Sequence, residues 1–241
     1  MKSHLKVITN IFLTSIGLSV LLGSFLRIVG PINQTYKINK KINPAGKSRR
    51  YFAKELLKGK SNLSSFYNDK LEKFERLEKL INKWENLIIK NPDLDVSAFF
   101  LSLDNQLYAE IKSNNKLSAA SSIKVPILII LLTMIERGEI FWDEDLVLSK
   151  DTIGSGSGWM AYQEIGEVFP VYEVASEMIR VSDNTATNLI IKRLGGINLV
   201  NQKFKEIGLK NTQLKNYLPD LDGTNLTSTK DLSLAIALVD N

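Results

Sequence analysis

The chain has 241 residues, 44% hydrophobic and 24% charged, with no cysteine and a single histidine, His4. Disulfides and thiolate metal sites are therefore excluded, a zinc centre lacks its imidazoles, and a Ser-His-Asp hydrolase has no histidine outside the extreme N-terminus. The net charge of +5 is uneven: residues 1–60 carry 12 Lys/Arg against Glu55 alone, whereas residues 61–241 carry 19 against 25 acids, so the basic character is not a nucleic-acid footprint on the rest of the chain.

Lys2 and Lys6 precede an apolar stretch from Ile11 to Leu26. Residues 1–29 are expected to be an export element, either a signal peptide or a membrane anchor. No A-x-A cleavage site follows, and the stretch of 16 residues falls short of the roughly 20 that span a bilayer, so both readings stay open. Residues 30–62 are rich in Lys, Asn, Gly and Pro and read as a basic linker without a regular apolar period, able to touch anionic headgroups or wall polymers.

From residue 63 the pattern becomes that of a folded domain. Phe66, Leu71, Phe74, Leu77, Leu80, Ile81, Trp84, Leu87 and Ile88 recur at steps of three and four, predicting a helix over 65–90 that Asn91-Pro92 ends. Strands are expected at 96–103 and 107–112, joined by a turn at Asp104-Asn105. A strongly apolar helix follows over 121–137, closed by Gly138, and 151–158 reads as a flexible Gly/Ser loop. Further helices are expected at 171–180, 185–194 (stopped by Gly195-Gly196), 197–207 and from about Thr229 to Val239. One helix, a hairpin and then mostly helices make an α+β domain rather than a βαβ repeat.

Two short motifs carry the chemistry. Ser121 and Lys124 are three apart, so on a helix they share a face and the amine comes within reach of the hydroxyl. The helix N-terminus and burial under the apolar run both disfavour a protonated lysine, leaving an amine able to take the Ser121 proton, with the Ser121 N–H as an oxyanion donor. Taken singly, Ser121 is a helix N-cap and Lys124 a solvated lysine, and Ser3…Lys6 and Ser113…Lys116 have the same spacing. Only the Ser121 copy opens a strongly apolar helix. Ser182-Asp183-Asn184 lies between two predicted helices and by itself reads as an N-cap cluster. In a functional reading Ser182 relays a proton, Asn184 donates its amide to a substrate carbonyl, and Asp183 fixes the loop through backbone hydrogen bonds. Trp159 and Tyr162 are read as packing at the core or rim.

The pair of motifs, in this order and spacing, resembles the class A serine β-lactamase family of penicillin-interacting serine enzymes. The matching text is Ala119-Ala120-Ser121-Ser122-Ile123-Lys124-Val125-Pro126 and Val181-Ser182-Asp183-Asn184-Thr185, continued by Arg193-Leu194-Gly195-Gly196 and Gly208-Leu209. The resemblance implies Ser121 as the acylated nucleophile, Lys124 as general base, Ser182 as proton relay and Asn184 as a substrate contact. It also implies a helical subdomain plus a partial antiparallel sheet with the site between them, no cofactor and no metal. A monomeric enzyme outside the cytoplasm is expected, acting on β-lactams or peptidoglycan peptides, touching the membrane through its N-terminal helix and binding no nucleic acid.

Two departures qualify this. The family's deacylating glutamate has no counterpart, since no glutamate follows Glu206; Asp220 or Asp222 would have to substitute unless both are turn residues beside Pro219 and Gly223. No K-T-G or K-S-G occurs, and 57 residues follow Asn184. Residues 63–241 are therefore expected to form a catalytic domain incomplete at its C-terminus, with the 96–112 hairpin short of sheet partners. Three functions fit: hydrolysis of β-lactams, a penicillin-binding or D-Ala-D-Ala peptidase-like protein that deacylates slowly, or an inactive remnant or wall-binding module.

Overall fold

The structure is a computed structural model and describes residues 74–238. The expected export element and basic linker lie outside the described residues. Among the described residues no helix is long and apolar enough to cross a membrane.

The fold is organised around helix α2, Lys124–Glu136. Its sequence, KVPILIILLTMIE, is apolar on nearly every side, and such a helix is stable only when other elements surround it. Pro126 is tolerated because it stands in the first turn, where its missing N–H has no intrahelical partner. Around α2 pack α3 (Val171–Arg180), α4 (Asn184–Arg193), α5 (Ile197–Glu206) and α6 (Thr229–Ala237). Ile123, Ile127, Leu131, Met178, Ile190 and Phe204 are fully buried in the resulting core, each contributing roughly 1.5–3 kcal/mol by burial.

The expected helices at 171–180, 185–194 and 197–207 agree with α3, α4 and α5 to within a residue. Ser228 caps α6, its hydroxyl accepting from the Asp231 N–H, one position before the expected Thr229. The helix expected over 65–90 differs at its start: among the described residues it begins at Glu78, as α1 (Glu78–Lys90). Glu75–Arg76 instead form a strand, β1, because the Glu75 and Leu77 N–H groups bond the carbonyls of Gln106 and Tyr108 at 2.8 Å. The apolar spacing runs on through Phe74 and Leu77, but sheet partners replace helical ones there.

The hairpin strands are β2 (Ala98–Ser102) and β3 (Leu107–Ile111), antiparallel with Phe100 opposite Ala109. They have more support than expected. β1 pairs parallel with β3, giving the order β1-β3-β2, while α1 packs on β3 and α6 on β2. Two small ribbons complete the framework: β4 (Leu117–Ser118) with β7 (Leu226–Thr227), and β5 (Asp145–Val147) with β6 (Val168–Pro170). The β4–β7 ribbon leads directly into the 3₁₀ turn Ala120–Ile123 that precedes α2.

The loop expected to be flexible over 151–158 is instead tied down. It begins in a 3₁₀ turn, Lys150–Thr152, and Thr152 is wholly buried. The Thr185 hydroxyl bridges the N–H and carbonyl of Gly154, and Asn188 donates to the Thr152 carbonyl. Gly158 is required here: its φ is +101°, and a Cβ would fall 2.0 Å from the Asp183 carboxylate.

Candidate active site

Ser121 is delivered by a reversal of the chain. Ala119 bonds the Asn225 carbonyl at the end of the β4–β7 ribbon, and Ala120 takes φ +43°. Ser121 then stands exposed at the 3₁₀ turn, while Lys124, one turn on, is 2% exposed at the head of α2. Ser182 comes from the connection between α3 and α4, where it also holds a left-handed conformation, φ +59°. For a serine this is costly by about 1–3 kcal/mol and persists only because its surroundings impose it.

The Lys124 amine draws these groups together across 58 to 60 residues of chain. It lies 2.7 Å from the Ser182 carbonyl, 2.9 Å from Asn184 Oδ1, 2.8 Å from Ser182 Oγ and 3.4 Å from Ser121 Oγ. The two serine hydroxyls are themselves 3.1 Å apart. The four partners are not equivalent. A carbonyl and an amide oxygen only accept, whereas the hydroxyls can also donate. A neutral amine therefore satisfies both obligatory acceptors with its two N–H groups and turns its lone pair toward the hydroxyls. Burial lowers the Lys124 pKa to about 8, the Asp183 carboxylate acting in the opposite sense. At pH 7 roughly a tenth of the amine is then neutral.

Asp183 is fully buried, and its carboxylate accepts from Ala186 N (2.9 Å), capping α4, and from Trp159 N (2.7 Å) and Met160 N (2.9 Å). It therefore joins α4 to the loop facing the site, beyond the local bonding expected of it. Asp183→Ala would leave these three donors without their acceptor, and a loss of about 3 kcal/mol or more is expected in urea unfolding. It would also remove the charge that raises Lys124, so the amine should titrate lower.

Asn184 uses both ends of its side chain: Oδ1 accepts from Lys124, and Nδ2 donates to the Ser155 carbonyl at 2.8 Å. One of its two N–H donors is thus taken. Asp220 does not face these groups as a spare carboxylate. It accepts from Asn225 N, from the Thr224 hydroxyl at 2.9 Å and from Asn216 Nδ2 at 3.4 Å. Burial pushes its pKa up, but these donors outweigh it and hold the carboxyl below its usual range. Asp222 is exposed at the turn before Gly223.

Two groups, Asn188 and Glu177, had no role assigned from the sequence. Asn188, 1% exposed, bonds both the N–H and the carbonyl of Leu218 and so fastens the 211–227 segment to α4. Of the two aromatics expected to pack at the core or rim, Trp159 lies edge-on to Phe169, 5.9 Å between centroids, whereas Tyr162 is 82% exposed. Glu177 is buried at the edge of the apolar stripe of α3, and a carboxylate in that position was the available signal. Among the described residues no group of His, Asp or Glu is placed to hold a metal ion.

Comparison with known proteins identifies the family. The family described as "Beta-lactamase enzyme family" matches residues 77–240. The chain is 25% identical over 194 residues to β-lactamase BRO-1 of Moraxella catarrhalis, covering 77% of this chain and 60% of that protein. It is 27% identical over 127 residues to the D-alanyl-D-alanine carboxypeptidase DacF of Bacillus subtilis, 51% of this chain and 32% of that one. Among solved structures, PBP-A superposes with a TM-score of 0.65 at 37% identity, covering 68% of this chain and 62% of that one. The same protein, in a substituted form, is also known as an acyl-enzyme complex with penicillin G. The chain thus spans less than two thirds of the length of these relatives. With more than half of its residues matched by the family and its α+β architecture shared with solved members, the chain belongs to the β-lactamase enzyme family.

Proposed function

We propose that the protein is a penicillin-interacting serine enzyme that is acylated at Ser121 by a β-lactam or by a D-Ala-D-Ala-type peptidoglycan peptide. Neutral Lys124 takes the Ser121 proton, directly or through Ser182 Oγ, as the Ser121 oxygen attacks the carbonyl carbon. The Ser121 N–H donates to the developing oxyanion. As the C–N bond breaks, Ser182 passes a proton to the leaving nitrogen, and Lys124 replenishes it. Asn184 steadies the amine and offers its second N–H to the substrate. The observation that carries this reading is the Lys124 amine within 3.4 Å of both hydroxyls while two obligatory acceptors take its N–H groups.

Hydrolysis of the acyl-enzyme needs a base for water. The one carboxylate of the 211–227 segment with its donors in place, Asp220, is spent within its own turn. Slow deacylation, as in a penicillin-binding protein, is therefore the reading favoured over efficient β-lactam hydrolysis. Location outside the cytoplasm belongs to the same proposal and rests on the Ile11–Leu26 stretch. Incubating the full chain with a fluorescent penicillin should give a one-to-one adduct by intact mass that lasts for many minutes, with nitrocefin turned over slowly. A folded sample that never forms the adduct would reject acylation. Rapid nitrocefin turnover would reject slow deacylation and favour the β-lactamase reading that the likeness to BRO-1 suggests.

A further inference from the structure

The segment 153–163 forms one wall of the site. Its main chain holds Asn184 twice, the Ser155 carbonyl accepting from Nδ2 at 2.8 Å and the Ser157 carbonyl from the Asn184 N–H at 3.1 Å. Two residues on, Trp159 is held at both its main chain and its side chain. Its N–H bonds Asp183, and its indole N–H donates to Glu177 Oε2 at 2.7 Å. Glu177 also accepts from Arg180, at 3.1 Å from Nε and at 2.7 and 2.9 Å from Nη2. Its own carbonyl receives the Asp183 N–H at 3.1 Å, so the same residue anchors the turn that presents Ser182.

A carboxylate only 6% exposed is a poor choice for stability alone, because an apolar residue would suit the stripe formed by Val174, Ala175 and Met178. What the carboxylate supplies is an acceptor that joins the loop wall, through the indole, to α3, the helix that leads into the turn carrying Ser182. We propose that Glu177 is a positioning residue: through the Trp159 indole it sets where the 153–163 wall holds Asn184, and hence how well Lys124 and Ser121 are aligned for acylation. Its effect on rate rests on the acylation reading above, whereas its effect on the wall does not.

The test compares E177Q, E177L and W159F in the full chain, together with the double variant E177L/W159F. E177Q and E177L both remove the charge, but only E177Q keeps an acceptor oxygen for the indole. W159F removes the donor and leaves Glu177 with Arg180. Hydrogen exchange of the 155–160 amides should quicken roughly tenfold in E177L and W159F and stay near wild type in E177Q. Labelling by fluorescent penicillin should slow by about 10- to 100-fold in the same two variants, and the double variant should be no slower than either. The pH midpoint of labelling should not move in any of them. Equal effects of E177Q and E177L, additive effects in the double variant, or unchanged exchange in E177L would each overturn the proposal. If the wild type is never labelled, the acylation reading falls, and the exchange pattern alone supports or overturns the role of Glu177 in the wall.

Discussion

Ser121→Ala should leave the chain folded and abolish its covalent reaction with penicillin completely. Ser121 is exposed, and its hydroxyl bonds only Lys124 and Ser182, so little packing is lost. The expected change in stability is within about 0.5 kcal/mol, as for other exposed sites away from special geometry. The chemical effect is of another order, because of the two hydroxyls beside the lysine amine Ser121 is the exposed one and Ser182 is half-buried. Intact mass after incubation with penicillin checks both ends of the prediction: the wild type gains one adduct and the variant none. An adduct of unchanged yield on Ser121→Ala would place the nucleophile elsewhere, with Ser182 the first candidate.

Lys124→Met should slow acylation by about 10² to 10⁴, the usual worth of a positioned general base. It should also remove the pH dependence that the lysine confers. With the amine titrating at about 8, acylation of the wild type should rise with pH from below 7 and level off above about 9, since only the neutral form accepts the proton. In Lys124→Met the profile should be flat over that range. A wild-type rate that falls through pH 8 would assign the lysine a different protonation state in the reaction. Stability should follow the same titration. The folded-state value of about 8 lies below the ordinary lysine value of 10.5, so between those limits the unfolded chain binds more protons than the folded one. Stability therefore rises with pH across this window, and below pH 8 the full penalty of about 3 kcal/mol applies. Urea midpoints at pH 7.5 and 9.5 test the sign.

Much of this site was legible before any coordinates. Ser121 and Lys124 are three apart at the head of an apolar run, and that local fact alone puts their side chains together. The limits of α3, α4 and α5 followed from periodicity and from the Gly195-Gly196 stop. The start of α1 did not, because β1 exists only where β3 lies alongside. The role of Gly158 and the partner of Glu177 were illegible for a related reason. A glycine in a Gly/Ser loop reads as flexibility, yet here it clears space for Asp183, which is 25 residues away. Likewise a glutamate in an amphipathic helix reads as solvated until an indole from another segment is found against it.

The sequence by itself determined the Ser121–Lys124 pairing, the order of helices around it and the lack of a glutamate within residues 207–241. Spacing, capping chemistry and apolar periodicity act over a few residues, so they can be read along the chain. Tertiary structure decided that Ser182 meets the lysine through both its carbonyl and its hydroxyl, how far burial lowers the Lys124 pKa, and that Asp220 serves its own turn. Desolvation and the choice of hydrogen-bond partner depend on segments tens of residues apart, and only folding brings those segments within 3 Å of one another.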